Sequence, residues 1–192
     1  MVHISDYLWK IVIDIRHRLF GNLLCDNLTK IVNGGVPLSA YYVERFNELG
    51  IHILNGYGLT ECSPTVVISC EFNNVPGSAG TIMKHIDVKI SDDGEIMVKG
   101  PNIMLGYYKD IESIKECFSD GYFKTGDIGY TVGKVIFVTG RKKKLIVLEN
   151  GKKVSPEMLE EKLNLLPYIS DSLVVPRKNN KNTLITALVR FD

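Results

Sequence analysis

The chain has 192 residues, 45% of them hydrophobic and 23% charged, which is enough to bury one good-sized domain or two small ones and excludes a disordered segment. Lys and Arg number 23 against 22 Asp and Glu, so the summed field gives no steering toward nucleic acid or an anionic membrane, and partners must be argued from sites. Four cysteines, Cys25, Cys62, Cys70 and Cys117, stand without a C-x-x-C pair or a nearby His. That pattern argues against zinc and against a disulfide framework, and predicts a reduced, cytoplasmic setting.

No apolar run approaches the roughly 18 to 20 residues of a membrane span. The N-terminus, carrying His3, Asp6 and Lys10, lacks the unbroken apolar core of a signal peptide. A transmembrane segment is therefore not expected, while peripheral membrane contact and oligomeric state stay open.

In chain order, residues 7–20 place Leu8, Ile11, Ile15 and Leu19 near helical spacing and predict a partly buried helix, with strand as the alternative because of the β-branched residues. Lys30-Ile31-Val32 reads as a strand, 33–38 as a Gly/Pro loop, and Ser39 as the N-cap of a helix that stops at Gly50. Residues 51–54 form a second strand, expected to end where NGYGLTE begins. Strand, loop, helix, strand is a βαβ unit, and in open parallel sheets ligands gather at the carboxyl ends of strands, where both NGGVPLS and NGYGLTE fall.

From Thr65 the texture turns to short β segments. Residues 87–90 and 95–98 alternate around Asp92-Asp93-Gly94, a hairpin signal, and 130–138 bend in the same way at Val132-Gly133. After Arg141-Lys142-Lys143-Lys144 come a strand (LIVL), an Asn150-Gly151 turn, and a helix opened by Ser155-Pro156-Glu157. The final run TLITALVRFD is β-rich and stops without a turn, as if a sheet were cut. The fold class expected is α/β: a βαβ segment over 1–64 and a β-rich, barrel-like subdomain over 65–142, together the end of a larger domain, followed by a truncated small α+β domain over 143–192.

Taken alone, NGYGLTE suits a tight turn, with glycines supplying positive φ. It equally suits a nucleotide site, in which an aromatic stacks on a base, glycines allow close backbone approach, and a carboxylate binds Mg²⁺. What separates the two is company. GGVPL (34–38), NGYGLTE (55–61), GEIMVKGPNIMLGYY (94–108), GYFKTGD (121–127) and GRKKKLIVLENGKKVSPEMLE (140–160) occur in one order. In that order they resemble the middle and late motifs of the adenylate-forming, AMP-binding superfamily, which includes acyl-CoA synthetases, peptide-synthetase adenylation domains and beetle luciferases.

The resemblance implies roles residue by residue. Gly34, Gly35 and Val36 match the loop lining the adenine and acyl pocket. Asn55 and Tyr57 match the adenine contacts, with Gly58 between them and the hydroxyl of Thr60, which faces the α-phosphate. Glu61 matches the Mg²⁺ carboxylate, so Thr60 and Glu61 are the expected catalytic pair. Asp127 matches the carboxylate that accepts from both ribose hydroxyls, and Arg141 the guanidinium that also meets the ribose. Lys143 falls on the hinge between large and small domains, although four basic residues in a row also suit a solvated loop. Gly151 matches the small residue that passes the pantetheine arm, and Lys152 or Lys153 the basic position near the phosphate of coenzyme A.

By this resemblance the parent enzyme joins a carboxylic acid to AMP from Mg·ATP, then transfers the acyl group to coenzyme A, with hinge rotation between the halves. The run KLIVLENGKKVSPE is most similar to the long-chain fatty acyl-CoA branch. The family's Ser/Thr/Gly-rich phosphate loop and late catalytic lysine are not found in these residues. The expectation is a C-terminal-half segment without adenylation activity of its own, whose nucleotide residues Tyr57, Glu61, Asp127 and Arg141 converge on one adenosine monophosphate. A non-catalytic AMP sensor or scaffold, and an aryl-acid or peptide-synthetase adenylation module, fit the same motifs.

Overall fold

A computed structural model of the chain describes residues 28–179 and 182–191. The helix expected over 7–20 and Cys25 lie outside the described residues. Within them the chain divides into two compact units, one of residues up to 84 with 134–136, the other of 85–133 with 137–192.

The first unit starts with β1 (Lys30–Gly34) and β2 (His52–Gly58), joined through helix α1 (Ala40–Glu48). The strands pair in parallel, as a βαβ connection requires. Ser39 caps α1 as its sequence predicts, its Oγ accepting from the Tyr41 amide at 3.4 Å, and Gly50 ends the turn at φ 78°. The helix packs on β2 and buries Val43 completely, with Ile51 and Ile53 also buried in this core, a contribution of about 1.5–3 kcal/mol for a side chain of that kind. Strands β3 (Thr65–Ile68) and β4 (Gly80–Ile82) continue the sheet antiparallel. Val135 and Ile136 pair with β4, and Val66 and Val67 complete this core.

Two expected boundaries move. β1 runs on through Asn33 and Gly34, and β2 does not stop at Leu54 but continues through Asn55-Gly56-Tyr57-Gly58. The reason is hydrogen bonding on both sides: Asn33 pairs with Asn55 and Gly34 with Gly56 in β1, while Gly56, Tyr57 and Gly58 pair with β3. The polar character of NGYG does not mark the end of the strand.

In the second unit, β5 (Asp87–Ile90) and β6 (Glu95–Lys99) form the expected hairpin. β6 pairs on its other side with β8 (Tyr122–Val132), which β7 (Phe118–Ser119) joins at its start. The turn at Gly133 leads into β9 (Val135–Arg141), and Tyr130 stacks on Phe137 with centroids 4.9 Å apart and planes 5° apart. Helix α2 (Ile111–Cys117), which periodicity did not indicate, is started by Asp110, whose Oδ1 accepts from the Ser113 amide at 3.0 Å.

Beyond a 3-10 turn at Lys142–Lys144, the short strands β10 (Ile146–Val147) and β11 (Lys153–Val154) flank the Asn150-Gly151 turn. Helix α3 (Pro156–Asn164) has its proline at the first turn, but the Ser155 hydroxyl does not cap it. That hydroxyl donates instead to Glu157 Oε2 at 3.0 Å. The last strands, β12 (Ile169–Asn179) and β13 (Asn182–Phe191), form one long hairpin against which α3 packs.

Candidate functional site

In the first unit, the parallel register of β1 and β2 sets two of the singled-out motifs side by side. Asn33 lies opposite Asn55 and Gly34 opposite Gly56, so GGVPL leaves the sheet next to NGYG. The junction is tied by side chains: Asn33 Nδ2 donates to Asn55 Oδ1 at 3.1 Å and to the Val36 carbonyl at 3.2 Å. Asn55 is 4% exposed, and its Nδ2 donates to the Ser78 carbonyl at 3.0 Å. Its amide thus anchors the strand end as well as standing where a base contact is expected. Asn33 opens the NGGVPLS stretch but was given no role of its own, and it is the missed member of this group; its signal was an amide placed immediately before a Gly pair.

Gly34, Gly35 and Val36 are exposed, and Tyr57 is half-buried on β2 opposite Val67. Gly58 is required by close approach, because a Cβ there would lie 1.8 Å from the Pro64 carbonyl oxygen. The chain then turns through a 3-10 segment, Thr60–Cys62, with Thr60 exposed, Glu61 half-buried and Cys62 fully buried beneath them. Among the described residues no three His, Cys, Asp or Glu side chains gather to hold a metal ion. A single carboxylate beside a hydroxyl suits Mg²⁺, which is usually held by one or two carboxylates together with substrate phosphates.

In the second unit the GYFKTGD motif is a bulge. Between the pairs Met97–Lys124 and Glu95–Ile128, β6 advances two residues and β8 four, so Thr125, Gly126 and Asp127 loop out of the ladder. Gly126 takes φ 74° there with open space around it, so its conformation, not crowding, calls for glycine. Thr125 Oγ1 donates to the Ile96 carbonyl at 2.8 Å and accepts from the Asp127 amide at 3.1 Å, replacing the lost ladder bonds.

Asp127 falls on the buried face of β8 and is 5% exposed. A buried carboxylate needs a partner, and Arg141 at the end of β9 donates to it through Nε at 2.8 Å. The predicted ribose pair is therefore in direct contact.

Sequence reasoning missed the groups supporting that pair. Glu95, 5% exposed, accepts from the Gly126 amide at 2.9 Å and from Lys142 Nζ at 2.7 Å. Lys142 also reaches Asp93 at 2.6 Å. The Lys142 and Ser91 hydrogen bonds hold the Asp93 carboxyl at about 2, and the Asp93 and Glu95 bonds raise Lys142 above its ordinary value. The available signal was a charged residue opening a strand, EIMV, that is otherwise apolar and buried throughout.

Lys143 is exposed in the 3-10 turn. It lines a cleft of about 670 Å³ with Leu145, Pro156, Leu173 and Lys178, which none of the expected nucleotide residues borders. Gly151 turns at φ 77°, and Lys152 and Lys153 are exposed beside it. No described helix is long and apolar enough to cross a membrane.

Comparison with known proteins gives these arrangements a family. The AMP-binding enzyme family matches residues 13–108. A long-chain-fatty-acid–CoA ligase of Mycobacterium bovis is 38% identical over 168 residues, 86% of this chain but 27% of that protein. A 2-succinylbenzoate–CoA ligase of Listeria monocytogenes is 31% identical over 167 residues, 85% of this chain and 36% of that protein. Among solved structures, the o-succinylbenzoate CoA synthetase of Bacillus subtilis in complex with its acyl-adenylate intermediate superimposes with a TM-score of 0.77 at 25% identity, covering 97% of this chain and 44% of that one. The same synthetase in complex with ATP and magnesium ion gives 0.76 at 26% identity, with the same coverage. The chain thus spans between 27% and 44% of the length of these relatives, and it belongs to the AMP-binding enzyme family.

Proposed function

We propose that this chain is a segment of an ATP-dependent acid–CoA ligase that forms an acyl-adenylate and passes the acyl group to coenzyme A. The acid proposed is a long-chain fatty acid. The single observation that carries the nucleotide part of this reading is the Asp127–Arg141 contact at 2.8 Å, built on a bulge in a chain of the AMP-binding family.

In this reading Asp127 accepts the ribose hydroxyls and Arg141 fixes the carboxylate's orientation while donating its remaining N–H groups toward the ribose. In the first unit the backbone of Gly34, Gly35 and Val36, with Asn55 and Tyr57, receives the adenine. Gly58 keeps the strand close to the following turn, and Thr60 donates its hydroxyl to the α-phosphate. Glu61 would hold a Mg²⁺ arriving with the nucleotide, which would supply charge neutralisation at the phosphates. The acid's carboxylate attacks the α-phosphorus of ATP, pyrophosphate leaves, and the thiol of coenzyme A then displaces AMP from the acyl carbon. Lys143 is proposed as the hinge between the two half-reactions, with 143–192 as the start of a small domain, and Gly151 and Lys153 on the coenzyme A side.

The fatty-acid choice is supported by the KLIVLENGKKVSPE run and by the identity to the Mycobacterium bovis ligase. The test is pyrophosphate exchange by the longer protein of which this chain is a segment, over acids of graded length and over aryl acids. Exchange rising with chain length supports the reading. Exchange with aryl acids alone overturns the substrate, and none with any acid overturns the reaction.

A further inference from the structure

The carboxylate of Glu95 touches both neighbours of the proposed ribose pair. One oxygen accepts from the amide of Gly126, the residue before Asp127, and the other from the ammonium of Lys142, the residue after Arg141. With the Asp127–Arg141 bond, these contacts close a loop in which two covalent steps alternate with three polar ones. We infer that Glu95 is a positioning residue, which sets the separation and aim of Asp127 and Arg141 so that the pair receives the two hydroxyls of a ribose. This rests on the nucleotide reading above and deepens it.

Three observations carry the inference. The bulge removes the Gly126 amide from the strand ladder, and a buried N–H without a partner is costly, so an acceptor has to be provided from the neighbouring strand. Glu95 provides it from the ladder position directly beside the bulge, opposite Ile128, where its backbone is fixed by the sheet. Second, Glu95 is buried to 5% exposure although ionisable, and a buried carboxylate persists when both its oxygens are bonded, as they are here. Third, Lys142 is already held by Asp93 at 2.6 Å, so tethering the lysine alone does not require Glu95. What Glu95 adds is the link between the lysine and the bulge, and through that link a fixed distance from Arg141 to Asp127.

A role confined to stabilising the bulge predicts lower stability with ligand preference unchanged. Positioning predicts a loss that depends on the ribose hydroxyls. The experiment measures binding of AMP and of 2′,3′-dideoxy-AMP to the 192-residue chain by calorimetric or NMR titration, with thermal unfolding in parallel. It compares wild type with Glu95→Gln and Lys142→Met.

Glu95→Gln leaves an oxygen for the Gly126 amide but presents an amide nitrogen to the ammonium. The wild type is expected to favour AMP by roughly tenfold or more, the scale of charge-assisted bonds to a carboxylate. In Glu95→Gln that preference falls to about twofold or less, through weaker AMP binding with the dideoxy ligand unaffected. Lys142→Met, whose side chain is half exposed, cuts the same link from the other end. It lowers the preference severalfold even where Glu95→Gln does not fold. Wild-type preference retained in the folded variants, or equal weakening of both ligands, overturns the positioning role and leaves the nucleotide reading intact. Absence of any preference in the wild type overturns both.

Discussion

Replacing Asp127 by Asn separates the structural and ligand-binding roles of its carboxylate. The substitution is isosteric, and the amide oxygen still accepts from the charged Arg141 guanidinium, although the carboxylate's own charge is lost. A hydrogen bond to a charged group contributes about 1.5–3 kcal/mol and a neutral one about 1. The Arg141 side chain is 55% exposed and regains water, so the net loss of stability is about 1 kcal/mol. Binding suffers more. An ionised carboxylate accepts from two ribose hydroxyls at once, whereas the amide already spends part of its one oxygen on Arg141. Losing charge assistance on those bonds weakens AMP by about 1.5–3 kcal/mol, roughly 10- to 100-fold in Kd. Urea unfolding without nucleotide and calorimetric titration with AMP measure the two effects separately. Unchanged AMP affinity in the folded variant would refute the ribose assignment, and a stability loss of about 3 kcal/mol would show that the carboxylate is mainly structural.

Two glycines should respond differently to alanine. At Gly58 the added Cβ would lie 1.8 Å from the Pro64 oxygen, so the backbone must move, at a cost of about 3 kcal/mol or more in urea unfolding. At Gly126 nothing lies within 4 Å and only the φ of 74° opposes, so the cost is about 1 kcal/mol after the stiffer unfolded chain is allowed for. Equal costs would contradict the geometry. The Asp93 carboxyl sits at about 2 against an ordinary 3.8, through Lys142 first and Ser91 second. A depressed folded value means a contribution present above about pH 4 and lost as pH falls toward 2. Asp93→Asn should therefore flatten acid unfolding over that interval by less than about 1 kcal/mol, since the side chain is 38% exposed. The chain alone should show no ATP–pyrophosphate exchange above background, and exchange at a measurable rate would overturn that expectation.

Much of this architecture was legible because local signals and tertiary pairing agreed. Ser39 and Gly50 bracket α1, Asp92-Asp93-Gly94 turns the β5–β6 hairpin, and Asn150-Gly151 turns where the sequence says it should. The sequence misled where hydrogen-bond partners came from distant strands. NGYG looks like a loop, yet β1 and β3 flank it and make it a strand. Asp127 and Arg141 were readable as motif residues, but their mutual bond depends on the bulge in β8, and the bulge on Glu95, 31 residues before Gly126. Neither periodicity nor turn chemistry reaches that far. Asn33 was hidden for the same reason, since its significance lies in its register with Asn55, 22 residues on.

The account depends most on the ribose of a nucleotide engaging the Asp127–Arg141 pair of the second unit. Titrating the ¹⁵N-labelled chain with AMP and following individual amides tests this directly. Signals of Gly126 and Asp127 should move along a saturating curve described by one Kd, about tenfold or more tighter than the curve obtained with 2′,3′-dideoxy-AMP. Signals of Gly126 and Asp127 unmoved by AMP, or moved equally by the dideoxy ligand, would contradict it.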